Sequence, residues 1–209
     1  MVTPADPYAL ADWRRTVAEM YADVRRAAAA DQMRAWETFR ARRDALFKSH
    51  PQTPLTSEQR AHFTGLDYYA YDPAWRVTGA LDRNVEQETF SVDLPAEGLL
   101  RYTRVACVRF RVGDLPAQLS LFWVEGYGGG LFLPLRDATA GLETYGGGRY
   151  VYDTIKGADL GAGVDELVLD FNYAYNPSCA YNDAWMCPLS PRENWLPFAV
   201  TAGEKAFTK

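Results

Sequence analysis

Histidine and cysteine are scarce in this chain: two His and three Cys in 209 residues. That supply is poor for a metal centre, because a structural zinc site needs four closely spaced donors. Cys179 and Cys187 are separated by too many residues for a zinc knuckle, and His50 and His62 fall in the helical N-terminal part. No metal ligand set and no cofactor is therefore expected. So few cysteines also exclude a disulfide-rich scaffold. No histidine stands beside either cysteine to mark a thiol nucleophile. Long apolar runs are missing too, so no membrane partner is expected. The start, MVTPADPYALADW, lacks the basic segment and apolar core of a leader peptide. A cytoplasmic location follows by default. Net charge is −5, and the part after residue 63 carries the acidic excess and no basic stripe. That argues against nucleic acid as a partner.

What is present fits a globular chain that can build a core. Hydrophobic residues make up 48% and charged residues 23%. Aromatics reach 14%, a share that suits a β-rich core.

Residues 1–63 read as helical. Asp6 can cap and Pro7 fits a first helical position. Leu10, Trp13, Val17, Met20, Tyr21 and Val24 then recur at three- and four-residue steps. Met33, Trp36, Phe39, Leu46 and Phe47 form a second stripe, ended by SHPQTP. The interleaved arginines, Arg40, Arg42 and Arg43 among them, read as a solvated face. Thr56 with Gln59 resembles a capping box for one further short helix.

Residues 64–209 read as β-rich. Strands are expected near Trp75–Thr78, in ETFSVDL, on both sides of Gly113-Asp114, and in GGGLFLPL, GRYVYDT, DELVLDFN and NWLPFAVT. Short turns separate them, with no long helix between. The fold class is α+β, with N-terminal helices packed on a mainly antiparallel β-barrel or β-sandwich as one unit.

Three loops gather groups that could do chemistry. EGYGGGLFLPL has three glycines but no Walker ending, so it reads as a hairpin loop. ETYGGGRY offers Glu143, Tyr145 and Arg149, whose guanidinium suits a carboxylate or phosphate. Arg149 could equally be held internally by Asp170, Glu143 or Asp137. DFNYAYNPSCAYNDAWMCPLSPREN offers Asp170, Asn172, Tyr175, Asn176 and Asn194 in a proline-stiffened segment expected to lie against ETYGGGRY. Its asparagines either satisfy loop backbone or read a polar ligand. Cys179 and Cys187 could form a disulfide or pack as thiols.

FLPLRDATAGLETYGGGRY, LDFNYAYNPSCAYN and CPLSPRENWLPFAVTAGEK resemble the bacterial and archaeal family DUF1684, a domain of unknown function. FTGLDYYAYDPAWRV is similar to it as well, so the resemblance spans about residues 34–205. It implies no reaction, cofactor or catalytic residues. Many relatives carry secretion signals or an added N-terminal β domain, whereas residues 1–63 here read as helical.

The leading expectation is a small-molecule-binding β domain. Glu143, Tyr145, Arg149, Asp170, Asn172, Tyr175, Asn176 and Asn194 would form one polar mouth, with Arg149 orienting an anionic group. One rival is a hydrolase using Asp170 or Glu143 as general base with Arg149. Another is an interaction module presenting its Trp13 and Trp36 helices to a partner.

Overall fold

Asp6 and Pro7 start the first helix for the reasons their chemistry gives. In a computed structural model of the chain, which describes residues 6–27, 29–94 and 98–208, the Asp6 carboxylate accepts the Tyr8 N–H and Pro7 opens helix α1 (Pro7–Arg26). The first five residues, on which the leader reading partly rests, and Ala28 of the alanine run lie outside the described residues. A 3-10 turn at Ala29–Asp31 leads into α2 (Gln32–Ser49). Thr56 and Gln59 form the expected capping box of α3 (Ser57–His62), with bonds of 3.1 and 2.8 Å.

The buried stripe of α2 differs from the expected one in three places. Met33 is 56% exposed, and Gln32 and Arg43 are buried. Helical phase explains all three. At about 100° per residue, Gln32, Trp36, Phe39, Arg43, Leu46 and Phe47 fall within about 100° of one another, whereas Met33 lies about 120° from Phe39. Arg43 therefore sits inside the apolar stripe, not on a solvated face. Arg40 is also drawn in, its guanidinium 4.8 Å from the Trp36 ring and 4.7 Å from the Tyr68 ring.

Among the described residues seven strands follow: β1 (Arg76–Asp82), β2 (Thr89–Leu94), β3 (Gly98–Val112), β4 (Leu115–Val124), β5 (Gly130–Leu135), β6 (Arg149–Asp153) and β7 (Glu166–Asp170). All pairings between them are antiparallel, in the order β6-β5-β4-β3-β1-β7, with β2 on the first half of β3. The β3–β4 register shifts between Arg104 and Ala106, the kind of bulge that bends a long strand. The sheet curls into a half-barrel. Val108, Leu119, Leu121, Leu133, Val151 and Leu169 join one core with Val17, Met20, Trp36, Phe39 and Phe47 of the helices. A second cluster of Tyr102, Phe122, Val124, Phe132 and Tyr150 fills the other face.

NWLPFAVT does not form the expected strand. Asn194 ends a 3-10 turn (Arg192–Asn194), and the chain then runs beside Arg136–Ala138. The backbone bonds Leu196 N to Arg136 O (2.7 Å) and Ala138 N to Phe198 O (3.1 Å), with Arg136 N to Asn194 O, tie it there. Pro197 has no N–H to extend a ladder.

Trp36 faces the protein's own core. Its indole N–H donates to the Asn172 carbonyl at 3.1 Å, and Trp13 packs at 5.8 Å on Phe47 and 5.3 Å on His50. Trp36 thus holds the segment after β7 and Trp13 packs on the end of α2, which weakens the interaction-module reading.

Candidate functional site

Of the residues singled out in the sequence, several prove to build the fold. Arg149, first residue of β6, is 1% exposed. Its Nη2 donates to Asp137 Oδ2 at 2.9 Å and to Val200 O at 3.0 Å; its Nη1 donates to Glu204 O at 3.2 Å and to Ala202 O. Asp137 in turn accepts the N–H groups of Thr139 and Val200. Arg149 is thus a clamp for the C-terminal segment, and Asp137 is its partner rather than Asp170 or Glu143.

Asn194 is fully buried and satisfies three backbone groups. Its Oδ1 accepts Ser120 N at 2.7 Å, and its Nδ2 donates to Ser120 O at 2.9 Å and Pro134 O at 2.7 Å. Asn172 does the same for Asp72, accepting its N–H at 3.0 Å and donating to its carbonyl at 2.9 Å. Asp170 lies at the end of β7, accepting from Asn172 N and Nδ2, with Arg76 Nε 4.0 Å away. Burial pushes its carboxyl up to about 6, against the pull of Asn172 and Arg76. Glu143 is exposed in its loop. Among the described residues neither Asp170 nor Glu143 forms an ion pair with Arg149, so the base-plus-arginine arrangement of the hydrolase reading is not assembled.

A different constellation forms where the helices meet the segment after β7. Arg43 Nη2 donates to Glu204 Oε2 at 3.1 Å and contacts Tyr181 Oη at 3.3 Å. Tyr181 donates its phenol to Glu204 Oε1. Asn176 donates its backbone N–H to Glu204 Oε2 at 3.3 Å and its Nδ2 to Glu204 Oε1 at 3.2 Å and Lys205 O at 2.7 Å. All four residues are buried. Burial raises the Glu204 carboxyl, while Arg43, Tyr181 and the Asn176 N–H lower it. The Arg43 guanidinium lies 4.6 Å from the Phe47 ring and 5.1 Å from the Tyr175 ring. Among the described residues two atoms of this network have no hydrogen-bond partner, Arg43 Nε and Asn176 Oδ1. Both residues line a cavity of about 60 Å³ walled by Trp13, Val17, Phe47, Tyr150 and Tyr175, with Lys156 and Ser178 also in its lining.

Sequence reasoning named Asn176 and Tyr175 but missed Arg43 and Glu204. Arg43 was detectable from its phase in the α2 stripe. Glu204 carried no local signal, because its burial depends on the tail passing between Tyr69 and Ala174.

ETYGGGRY does lie against the DFNYAYNPSCAYN segment: Tyr150 and Tyr175 exchange backbone hydrogen bonds at 2.9 and 3.0 Å. Tyr145 Oη sits 3.5 Å from Cys179 Sγ. Cys179 and Cys187 are free thiols. Among the described residues no group of three His, Cys, Asp or Glu side chains could hold a metal ion, and no helix is long and apolar enough to cross a membrane.

Comparison with known proteins places the chain in a lineage. No curated protein matches it. An uncharacterized protein of Haloarcula marismortui, with a solution NMR structure, is 37% identical and superposes with a TM-score of 0.61, covering 84% of this chain and 95% of that one. The sequence profile of one family matches residues 61–205, a narrower span than the 34–205 over which the sequence itself suggested a resemblance. The chain belongs to that family, described as Protein of unknown function (DUF1684).

Proposed function

We propose that the protein binds a small neutral polar molecule in the cavity between α1, α2 and residues 175–181. The observation that carries this reading is the pair of unpartnered polar atoms, Arg43 Nε and Asn176 Oδ1, on residues that line one cavity. Leaving a buried donor or acceptor unsatisfied costs about 1–3 kcal/mol, so such a pair calls for a guest. The Asn176 amide is oriented by its two acceptors, Glu204 Oε1 and Lys205 O, which leaves its carbonyl oxygen for a donor. Arg43 Nε–H needs an acceptor. A hydroxyl or primary amide supplies both. A carboxylate supplies acceptors only and would add a negative charge beside Glu204. This departs from the anionic guest expected for Arg149, which is committed to Asp137 and three carbonyls.

The volume, about 60 Å³, limits the enclosed part to a short head group or about two waters. Aromatic and aliphatic walls then favour a compact apolar body on that head. A thermal-shift panel of short alcohols, amides and carboxylic acids tests this. A hydroxyl or amide compound at 100 times its Kd should stabilise by about 2.7 kcal/mol, about 5 °C or more for a chain of this size. Carboxylates should not. If no compound raises Tm and a crystal structure shows only water between Arg43 Nε and Asn176 Oδ1, the reading fails.

A further inference from the structure

Strand β2 is an open edge of the sheet. Its residues pair with β3 in one unbroken register, from Thr89 opposite Thr103 to Leu94 opposite Gly98. Two bonds fix which backbone groups that pairing consumes. Arg104 N donates to Glu88 O at 2.9 Å, so Glu88 and Arg104 form a hydrogen-bonded pair. Arg101 O accepts from Glu125 N at 2.9 Å, so the Arg101 carbonyl faces β4 and not Ser91. The alternation of an antiparallel ladder then bonds Phe90, Val92 and Leu94 to β3. It aims the N–H and C=O groups of Thr89, Ser91 and Asp93 outward. Among the described residues no strand, loop or side chain takes up these outward groups. Exposed edges are commonly guarded by a lysine, a proline, a bulge or a covering segment. TFSVDL contains no lysine, proline or bulge, and its sole charged side chain is Asp93. The two faces of the strand differ. Thr89, Ser91 and Asp93 are exposed, whereas Phe90 and Val92 are partly buried against the second core cluster, opposite Tyr102 and Leu100. The Phe90 ring stacks on Tyr102 at 5.4 Å.

We propose that β2 pairs with β2 of a second copy of this chain, antiparallel about a two-fold axis at Ser91. In that register Ser91 meets Ser91 and Thr89 meets Asp93, and each outward N–H and C=O of these residues finds its complement. Phe90 comes opposite Val92 of the second copy in the closer, non-hydrogen-bonded pairing. The apolar rows Tyr102–Phe90 and Leu100–Val92 thus continue from one chain into the other. Asp93 faces the Thr89 hydroxyl, Glu88 faces Leu94, and no like charges stand opposite one another. An axis one residue away, at Phe90 or Val92, would carry Asp93 or Thr89 past the end of the facing strand and lose its bonds. The strand is therefore its own complement in hydrogen bonds, apolar side chains and charge. A two-fold interface demands that self-complementarity, and it selects a second copy as the occupant. A strand of this length spans about 20 Å. An interface so narrow lies at the small, reversible end of the range, so the dimer forms at high concentration and dissociates on dilution.

Sedimentation velocity of the full chain, from about 1 µM to about 1 mM, should show monomer giving way to dimer. Amide exchange followed by NMR should slow at Thr89, Ser91 and Asp93 as concentration rises. Phe90 and Val92, already bonded to β3, should not change. S91P removes the central outward N–H and no bond to β3, and proline is accepted on a free edge. It should stay monomeric throughout, with its Tm in dilute solution little changed. T89K sets an ammonium opposite Asp93 of the second copy, at both ends of the paired strands, and should tighten the dimer several-fold. A monomer at about 1 mM would overturn the proposal. So would a dimer that neither S91P nor T89K alters, or one in which the Thr89, Ser91 and Asp93 amides exchange as they do in the monomer. The sedimentation and exchange of the unmodified chain need no variant to fold.

Discussion

Replacing Asp170 with asparagine should remove a penalty that grows with pH. The Asp170 side chain is 1% exposed, its Oδ1 accepts two bonds from Asn172, and its Oδ2 has no hydrogen-bond partner, with Arg76 Nε only at 4.0 Å. Burial therefore dominates, and the carboxyl is raised from 3.8 to about 6. The native state thus holds a proton that the unfolded chain has already released between these two values. Where the native state binds more protons, stability falls as pH rises. The group costs nothing below its unfolded value and its full penalty above about 6. A shift of this size corresponds to about 3 kcal/mol. Asparagine keeps the oxygen that Asn172 needs and cannot ionise.

The assay is urea unfolding of the unmodified chain and D170N at steps from pH 3.5 to 7.5. The two should be nearly equal at the acid end. D170N should gain about 3 kcal/mol relative to the unmodified chain by pH 7.5, or about 6–12 °C in Tm. Background titrations elsewhere cancel in the difference. A difference that does not change with pH would refute the burial argument. One that moves in favour of Asp170 as pH rises would show instead that Arg76 closes on the carboxylate and stabilises it. The same experiment bears on the hydrolase reading. A carboxyl near 6 suits a general base, but here burial alone accounts for the value, and none of the described cavities is lined by Asp170.

Two further perturbations follow from the clamps. N194A should destabilise by on the order of 3 kcal/mol or more in denaturant titrations, because Ser120 N, Ser120 O and Pro134 O lose their side-chain partner inside the protein; a loss under 1 kcal/mol would mean water reaches them. G148A should cost more than about 2 kcal/mol, since Gly148 has φ +92° and a Cβ would meet Leu135 O at 2.4 Å. G128A, with open space around it, is the control and should change stability by under about 1 kcal/mol.

The legible part of the fold was the part specified by local chemistry. Asp6-Pro7, the Thr56–Gln59 box and the Gly113-Asp114 hairpin are each settled by a few adjacent residues, and the structure has all three. Alternation located β2 and β3, whose apolar positions face a core, and short turns bounding apolar runs located β4 through β7. NWLPFAVT has the same apolar content, yet its pairing with Arg136–Ala138 comes from the far side of the molecule and Pro197 interrupts it. Local pattern has no access to that competition.

The same limit governs the site. A loop dense in Asp, Asn and Tyr reads either as a ligand mouth or as structure, and buried backbone groups that no ladder pairs must be satisfied by side chains. Asn172 and Asn194 are doing that for Asp72, Ser120 and Pro134, residues distant by 60 to 100 positions. Polar density in a buried loop is thus first a measure of how much unpaired backbone it covers. What distinguishes a ligand group from a structural one is the remainder left after that accounting. By this measure Arg149 leaves only Nε over, on a residue that lines no described cavity. Arg43 and Asn176 each leave one atom, and both residues line the same cavity. The argument for a binding site therefore moves from the most conspicuous arginine of the motif to one hidden in a helical stripe.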